Sequence, residues 1–328
     1  MRHFLSLVLV LLALPAAAVP PQVAGCDVFP TGNIWNTTVD HLPAHPQSDL
    51  WVQTIGAGAG VHPDFGTVFM GGIIGFPFVD VQGSQPLVPI TFDEPDESDP
   101  GPYPIPPDVP IEGGSDHHVL VVDRDACVLY ELFDAATSNG GASWTAFSGA
   151  VFDLGSHQLR PDTWTSADAA GLPILPGLVR YDEVVTEGEI RHAIRFTAPQ
   201  TRNEYVWPAR HQASALSGPQ FPPMGARFRL RGDFDASGLS AEAQVVVRAL
   251  KRYGMMLADN GSSWFISGEH DLRWDDDALA DLHQIHGSDF LAVDATVMMV
   301  DPDSGLANLL FGDGFESGDL SAWSGSLP

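Results

Sequence analysis

The chain has 328 residues and a formal net charge of −27, with 42 acidic against 15 basic side chains. This charge argues against nucleic acid and anionic membrane surfaces as partners, because both are bound through clustered Lys and Arg, and Lys251 is the single lysine. Neutral and cationic partners remain compatible with it, and the length allows a sizeable hydrophobic core.

Residues 1–18 have the pattern of a secretory signal peptide. A basic start at Arg2 precedes a short apolar run, and Ala16-Ala17-Ala18 supplies a small-residue cleavage site. We therefore expect a secreted or periplasmic protein. A lipoprotein with acylated Cys26 is the alternative, but the polar residues 20–22 separate that cysteine from the apolar run. No later stretch is long and apolar enough to span a bilayer.

Cys26 and Cys127 are the only two cysteines. In an exported chain an even pair predicts a disulfide bond, which here would tie the mature N-terminus to the middle of the chain. A reactive thiol is the less favoured alternative in an oxidising compartment.

The first part of the chain predicts one short helix and several strands. Residues 48–55 favour a helix, whereas 67–81 and 86–92 are apolar, rich in β-formers and broken by glycine. Residues 93–110 form an acidic, proline-rich connector that cannot be helix or central strand. A solvated polyproline-like crossing is favoured there, and the alternatives are the rim of a cleft or a structural calcium site.

The stretch 112–134 predicts an antiparallel hairpin. Its apolar runs, 118–122 and 127–133, flank a polar corner. A two-residue turn at Arg124 and Asp125 would pair His118 with Glu131 and bring the imidazole and the carboxylate within reach of each other.

The rest of the chain predicts further strands at 143–153, 190–197, 205–211 and 226–231. Residues 190–197 alternate, which places His192 on an apolar face and Arg195 on the other.

Two helices and one more hairpin follow. The helices are expected from Ser240 to Gly254 and from the aspartates at 275–277 to Gly287. The turn residues 259–261, Asp-Asn-Gly, predict a hairpin between 255–258 and 263–267.

Strands dominate without regular alternation with helices, so the fold class predicted is mostly β. An antiparallel, jelly-roll-like β-sandwich with two short helices fits best. We expect a single domain over 19–300 and a flexible C-terminal tail over 301–328, where the composition shifts to Gly, Ser and Asp.

Several sequence blocks occur together: CVLYELF at 127–133, GLPILPGLVRYDEV at 171–184, WPARH at 207–211, PPMGARFRL at 222–230 and YGMMLADNG at 253–261. They resemble a family of secreted bacterial β-rich proteins that is known mainly as uncharacterised sequences. The resemblance covers roughly residues 26–294 and implies one structural unit, but no activity and no catalytic residue.

The function predicted is cleavage of an extracellular polysaccharide or glycan. Glycoside hydrolysis needs two carboxyl groups flanking the scissile bond. Glu131 would be one of them, with a second among the acids near the ends of the hairpin and a histidine assisting. The candidates, besides Glu131, are Glu112, Asp116, Asp134, His118 and His192. A polysaccharide lyase with His118, His192 or Tyr130 as base is the second enzymatic alternative.

Substrate binding is predicted for Trp144, Trp164 and Trp207, which could stack on sugar rings, and for Arg195. The competing hypothesis is a non-catalytic carbohydrate- or cell-surface-binding monomer. His211 is a weaker catalytic candidate. No cofactor is expected beyond the possible calcium ion, because His283 and His286 lack a third ligand, and no Gly-x-Ser-x-Gly or phosphate loop is present.

Overall fold

The computed structural model describes residues 19–308, so the predicted signal peptide and residues 309–328 lie outside the described part. Within residues 19–308 the fold is mostly β, as predicted, with few and short helices. Its strands form several open sheets and close no barrel. No helix between residues 19 and 308 has the length and apolarity needed to cross a membrane.

The strands, in chain order, are β1 (Gln22–Val23), β2 (Cys26–Asp27), β3 (His62–Asp64), β4 (Val68–Phe69), β5 (Gly72–Ile73), β6 (Phe78–Val81), β7 (Ile90–Phe92), β8 (Val119–Asp123), β9 (Val128–Phe133), β10 (Ala136–Ser138), β11 (Ser143–Ala146), β12 (Ser148–Asp153), β13 (Ile194–Ala198), β14 (Arg227–Leu230), β15 (Met255–Asn260), β16 (Phe265–Ser267) and β17 (Phe290–Val293). The α-helices are α1 (Ser48–Ile55), α2 (Ala241–Arg252) and α3 (Asp276–Ala280), and a short π-helix spans Asp182–Glu187.

Three sheets build the body. The largest has the order β17-β14-β15-β13-β16-β3, the second β12-β9-β8-β6 and the third β10-β11-β7. The expectation of purely antiparallel pairing is wrong, because β13 runs parallel to β15, β16 to β3, β6 to β8 and β11 to β7. The sheets are therefore mixed.

The four-stranded sheet is buried on both faces. Leu120 and Val122 of β8 belong to the main core, which includes side chains of the six-stranded sheet, whereas Val119 and Val121 belong to a second core with Trp144 of the three-stranded sheet. Burial on both sides explains why β8 is a continuous apolar run rather than an alternating one.

The helices follow their sequence signals with one exception. Helix α1 has the predicted bounds, and α2 begins after Ser240, whose Oγ accepts the N–H of Ala243 as an N-cap. The helix expected up to Gly287 is shorter, because α3 ends at Ala280 and continues only as a 3₁₀ turn to Gln284.

The hairpin predicted at residues 259–261 is wrong. Strands β15 and β16 do not pair with each other, because β13 lies between them and pairs with both. The N–H of Gly261 donates to the carbonyl of Ala198, at the end of β13. The turn signal in the sequence is local, whereas the partner strand is distant in the chain.

The hairpin of β8 and β9 exists, but its predicted register is wrong. Leu120, not His118, lies opposite Glu131. The connection between the strands has four residues, 124–127, and the Asp123 carboxylate accepts the N–H groups of Asp125 and Ala126. The register is therefore displaced by two residues, which preserves the face of every side chain but separates the expected pair.

The predicted disulfide bond between Cys26 and Cys127 is confirmed, with an S–S distance of 2.04 Å. The Cys26 sulfur is thus occupied in this bond, which excludes simultaneous acylation. A disulfide is compatible with an extracellular location.

Replacing both cysteines with Ser should lower the free energy of unfolding by about 2–4 kcal/mol, because the bond closes a long loop and restricts the unfolded chain. The two cysteines are 101 positions apart. Denaturant titration of variant and wild type measures the change, and reduction of the wild type should reproduce it. Identical midpoints for the oxidised and reduced protein would contradict a stabilising role.

The domain boundary predicted at residue 300 lies within a segment that is hydrogen-bonded to the rest of the fold. Ser304 forms a bridge with Gln158, Leu306 forms one with Asn33, and the Asp303 carboxylate accepts a hydrogen bond from Arg210. The described end of the chain, up to residue 308, therefore belongs to the folded unit.

Candidate functional site

Arg195, on β13, lies at the centre of a buried ionic network. Its guanidinium donates two hydrogen bonds to the Asp168 carboxylate, from Nε to Oδ2 at 2.7 Å and from Nη2 to Oδ1 at 2.8 Å. Nη1 donates to Ser267 Oγ at 2.7 Å, and the ring of Phe76 lies 5.4 Å from the guanidinium carbon. Arg195 thus donates its hydrogen bonds to protein groups, and it has no free pair of parallel N–H groups for an anionic ligand.

Asp259 is the second acid of this network. A register shift between Phe196 and Thr197 aligns Thr197 with Asp259, and Asp259 Oδ2 lies 3.2 Å from Arg195 Nη2. Burial and the nearby Asp168 charge raise the pKa of Asp259 to about 7, although Arg195 opposes the shift. Its side chain is 26% exposed, so a ligand or water can reach this carboxyl.

His211 is fixed in one orientation beside the same network. Its Nδ1 lies 2.9 Å from the Ala169 carbonyl, and since a carbonyl can only accept, Nδ1 carries the proton. In the neutral form of this imidazole Nε2 is then an acceptor, as a general base requires. The backbone N–H groups of Arg210 and His211 donate to the Ala170 carbonyl and anchor this segment.

A cavity of about 160 Å³ brings these groups together. Its lining includes Asp168, Asp259 and His211, together with Phe133 and Phe147. The two rings pack edge to face with centroids 5.6 Å apart. Because the Asp168 side chain is fully buried and paired, Asp259 and His211 are the groups with acid–base capacity that face a ligand in this cavity.

The loop 165–175, which carries Asp168, has almost no regular structure and is held by side chains of the four-stranded sheet. The Glu131 carboxylate accepts the N–H groups of Ile174 at 3.0 Å and Leu175 at 2.9 Å. Ser148 Oγ donates to the Ser166 carbonyl at 2.7 Å. A buried loop needs such partners for its peptide groups.

Glu131 and His118, the predicted catalytic pair, are both sealed inside, with exposures of 0% and 2%. Burial raises the pKa of Glu131 to about 7 against the opposing effect of the two N–H donors. His118 donates to the Ala167 carbonyl from Nε2 and to the Glu112 carboxylate from Nδ1. Burial disfavours its charge, but the hydrogen bond and the charge of Glu112 raise the pKa of His118 above its ordinary value.

Glu131→Gln should become more stable relative to the wild type as pH rises. Because the folded pKa of about 7 lies above the usual value of 4.5, folding favours the protonated carboxyl. The wild type therefore loses stability from about pH 4.5 through pH 7, by at most roughly 3 kcal/mol, and the neutral amide does not. Thermal unfolding between pH 5 and 8 measures the difference.

Glu94→Gln, which changes an exposed carboxylate, is the matched control and should follow the wild type at every pH. An E131Q profile parallel to that of the wild type would contradict a raised pKa at Glu131.

The other predicted acids do not converge on the cavity. Glu112 is engaged with His118, whereas Asp116 and Asp134 are exposed at the surface, where Asp134 lies 3.3 Å from His117 Nδ1. A catalytic role for these acids stays a prediction, and none of them is among the residues that line the cavity of Asp259 and His211.

His192 is fully buried in a separate network. Its Nε2 lies 3.1 Å from Glu183 Oε2, and its Nδ1 donates to the Ala193 carbonyl. Glu183 also binds Arg180 at 2.6 Å, and the Arg180 guanidinium, together with the hydrogen bond to His192, holds the pKa of Glu183 below its usual range against the effect of burial. This is the geometry of a core histidine with its hydrogen bonds satisfied.

The predicted tryptophan platforms are largely inside the protein. Trp144 and Trp207 are buried, and Trp207 Nε1 donates to the Ser304 carbonyl. Trp164 is half-buried, with the Arg160 guanidinium 5.6 Å from its ring. The aromatic rings that face the cavity are instead those of Phe133 and Phe147.

The acidic connector supports the same loop. Asp99 forms an ion pair with Arg160, and the Glu97 carboxylate accepts the N–H of Thr165 at 3.0 Å. Within residues 19–308, no group of three or more His, Cys, Asp or Glu side chains is placed to hold a metal ion.

The sequence indicated His211 only as a weaker catalytic candidate, and it did not indicate Asp168 or Asp259 as site residues. One signal was present for Asp168, since it is the sole charged residue in the long stretch 163–179. An isolated charge among residues that the fold buries needs a partner, and Arg195 provides it.

The chain is thus a mostly β protein with a small cavity. The cavity is lined by the carboxyl of Asp259 and the imidazole of His211, beside the buried ion pair of Arg195 and Asp168. Comparisons with protein-family models, curated proteins and solved structures find no match.

Proposed function

We propose that this protein is a secreted glycan-cleaving hydrolase whose reaction takes place in the cavity between Asp259 and His211. The observation that carries the proposal is that one cavity is lined by a carboxyl, Asp259, whose pKa is raised by burial, and by an imidazole, His211, whose Nδ1 is held by a backbone carbonyl. Such a pair is what general acid–base catalysis requires.

In the proposed reaction, His211 Nε2 accepts a proton from water as the water oxygen bonds to the anomeric carbon. Asp259 gives its proton to the glycosidic oxygen as the bond between that oxygen and the anomeric carbon breaks. Phe133 and Phe147 offer an apolar wall for one face of a sugar ring, and Ser148 and Thr165 line the same cavity with hydroxyl groups.

Hydrolysis fits this site better than the elimination reaction of a polysaccharide lyase. Elimination beside a uronate needs a cation that neutralises the substrate carboxylate. Arg195 is occupied by Asp168, Asp259 and Ser267, and the acids that face the cavity would repel a uronate. The expected substrate is therefore a neutral or cationic glycan.

The sequence-predicted residues His118 and Glu131 have a supporting role in this proposal, because they hold the loop that positions Asp168. For the whole chain we retain secretion by a cleaved signal peptide and a monomeric state. We also retain a sandwich-like packing of the four- and six-stranded sheets, which the shared main core supports.

The test is a screen of the purified mature protein against a polysaccharide panel, with reducing ends and 4,5-unsaturated products measured in parallel. New reducing ends without unsaturated products, abolished by His211→Ala, are the expected result. Unsaturated products would replace hydrolysis with elimination. Binding without cleavage would leave a carbohydrate-binding protein and refute the enzymatic proposal.

A further inference from the structure

A second and larger cavity lies at the edge strand β3, away from the acid–base pair. This groove has a volume of about 470 Å³, within the range of ligand sites. Its lining is mostly apolar, and the apolar side chains are Phe65, Val68, Phe69, Ile74, Phe265 and Leu279. Proposed catalysis at Asp259 and His211 makes no use of it.

The hairpin of β4 and β5 adds exposed apolar surface beside the groove. Phe69 is 65% exposed and Met70 at the tip is 93% exposed. Leu272 is also exposed and follows Asp271, whose N–H lies 3.4 Å from the Gly66 carbonyl at the base of this hairpin. Large apolar side chains gathered at a groove are typical of an interaction surface.

The rim of the groove carries carboxyl groups, and burial, with the nearby acids Glu112 and Asp116, raises the pKa of one of them, Asp64. Asp64 and Asp276 line it, and Asp275 and Asp277 are exposed next to Asp276 at the start of α3. Among residues 19–308 none of these four carboxylates has a basic side chain as an ion-pair partner. Asp276 instead accepts hydrogen bonds from the backbone and hydroxyl of Thr67.

The other ionisable groups nearby do not cancel this charge. His62 and His283 both line the groove and contact each other, with ring centroids 5.0 Å apart. Burial and His283 lower the pKa of His62, which disfavours a positive charge on its ring. Arg273, the nearest arginine in sequence, is paired with Asp271 and Asp182.

We propose that this groove binds a cationic amphipathic peptide segment, with an apolar side chain inserted between Phe69 and Phe265 and adjacent Lys or Arg side chains against Asp64 and Asp277. The apolar lining supplies the binding energy, and the unpaired acids select the charge. The net charge of −27 attracts such a partner from a distance.

The experiment measures binding of a synthetic helical peptide with a Leu/Phe face and a Lys face, by fluorescence anisotropy on the full mature protein. Phe69→Ser should weaken binding roughly tenfold, the value expected for losing most of one buried aromatic side chain. Leu87→Ser, an equally exposed apolar residue on another part of the surface, is the control and should leave binding unchanged.

Charge is tested separately. Asp277→Asn should weaken binding at low salt by roughly twofold to fivefold, and Asp233→Asn, which removes an exposed acid elsewhere, should not. Added salt should weaken wild-type binding and reduce the difference between wild type and D277N.

Equal binding of the wild type and F69S would overturn the proposal, as would tight binding of an analogue in which Glu replaces every Lys. Tight binding of an uncharged glucan oligosaccharide that F69S abolishes would instead make the groove a sugar site. His211→Ala should leave peptide binding unchanged, so loss of the proposed cleavage and loss of this site are separate results.

Discussion

Arg195→Met should lower the free energy of unfolding by about 3–5 kcal/mol, the cost of leaving a buried charge without its partner. Asp168 has no exposed side-chain surface, and Arg195 donates a hydrogen bond to each of its two carboxylate oxygens, whereas the other donor is the uncharged N–H of Ala169. Methionine fills a similar volume, so the loss comes from the unpaired carboxylate rather than from a cavity.

Chemical denaturation of variant and wild type measures this change. Arg191→Met is the matched control, because Arg191 is four residues away and pairs with the exposed Glu187 and Glu189. Surface pairs of this kind contribute at most about 1 kcal/mol.

A second variant separates charge from packing. Asp168→Asn combined with Arg195→Met removes both charges and should recover part of the lost stability. If R195M and R191M were equally destabilised, the Arg195–Asp168 pair would have no special role in the core.

Local signals in the sequence predicted local structure well. Ser240 caps α2, the apolar runs around 118–133 form a hairpin, and the two cysteines form a disulfide bond. Each of these depends on neighbouring residues or on a count of one residue type.

Non-local pairing could not be derived in the same way. Strand β13 enters between β15 and β16, although β15 and β16 are joined by the short connection 261–264. Turn chemistry at Asn260-Gly261 carries no information about a strand that arrives from far away in the chain. The parallel pairs escaped prediction for the same reason.

The candidate site depends on such non-local pairing. Asp168, Arg195 and Asp259 come from a loop and two strands that are 27 and 64 residues apart, and the shift in the β13 register places Asp259 beside Arg195. Glu131 has the residue type of a catalytic acid, but its role in the structure is to hold two N–H groups. Residue type predicted the chemistry available, and only the fold decides which groups meet a ligand.

Asp259→Asn should reduce cleavage of the substrate found by the polysaccharide screen by about 10²- to 10⁴-fold, because the amide cannot give a proton to the leaving oxygen. The variant should fold normally, since the amide resembles the neutral carboxyl that burial favours at this position. Rate and melting temperature measured together distinguish lost chemistry from lost structure, and Asp233→Asn is the control.

The direction in which the cleavage rate changes with pH tests whether Asp259 acts as the proton donor. With an acid whose pKa is about 7, the wild-type rate should fall as pH rises above 7, because the proton that Asp259 must donate is progressively lost. The residual activity of D259N should lack this fall, since no group at position 259 titrates. A wild-type rate that shows no fall above pH 7 would contradict Asp259 as the proton donor, and unchanged activity in D259N would remove it from the reaction.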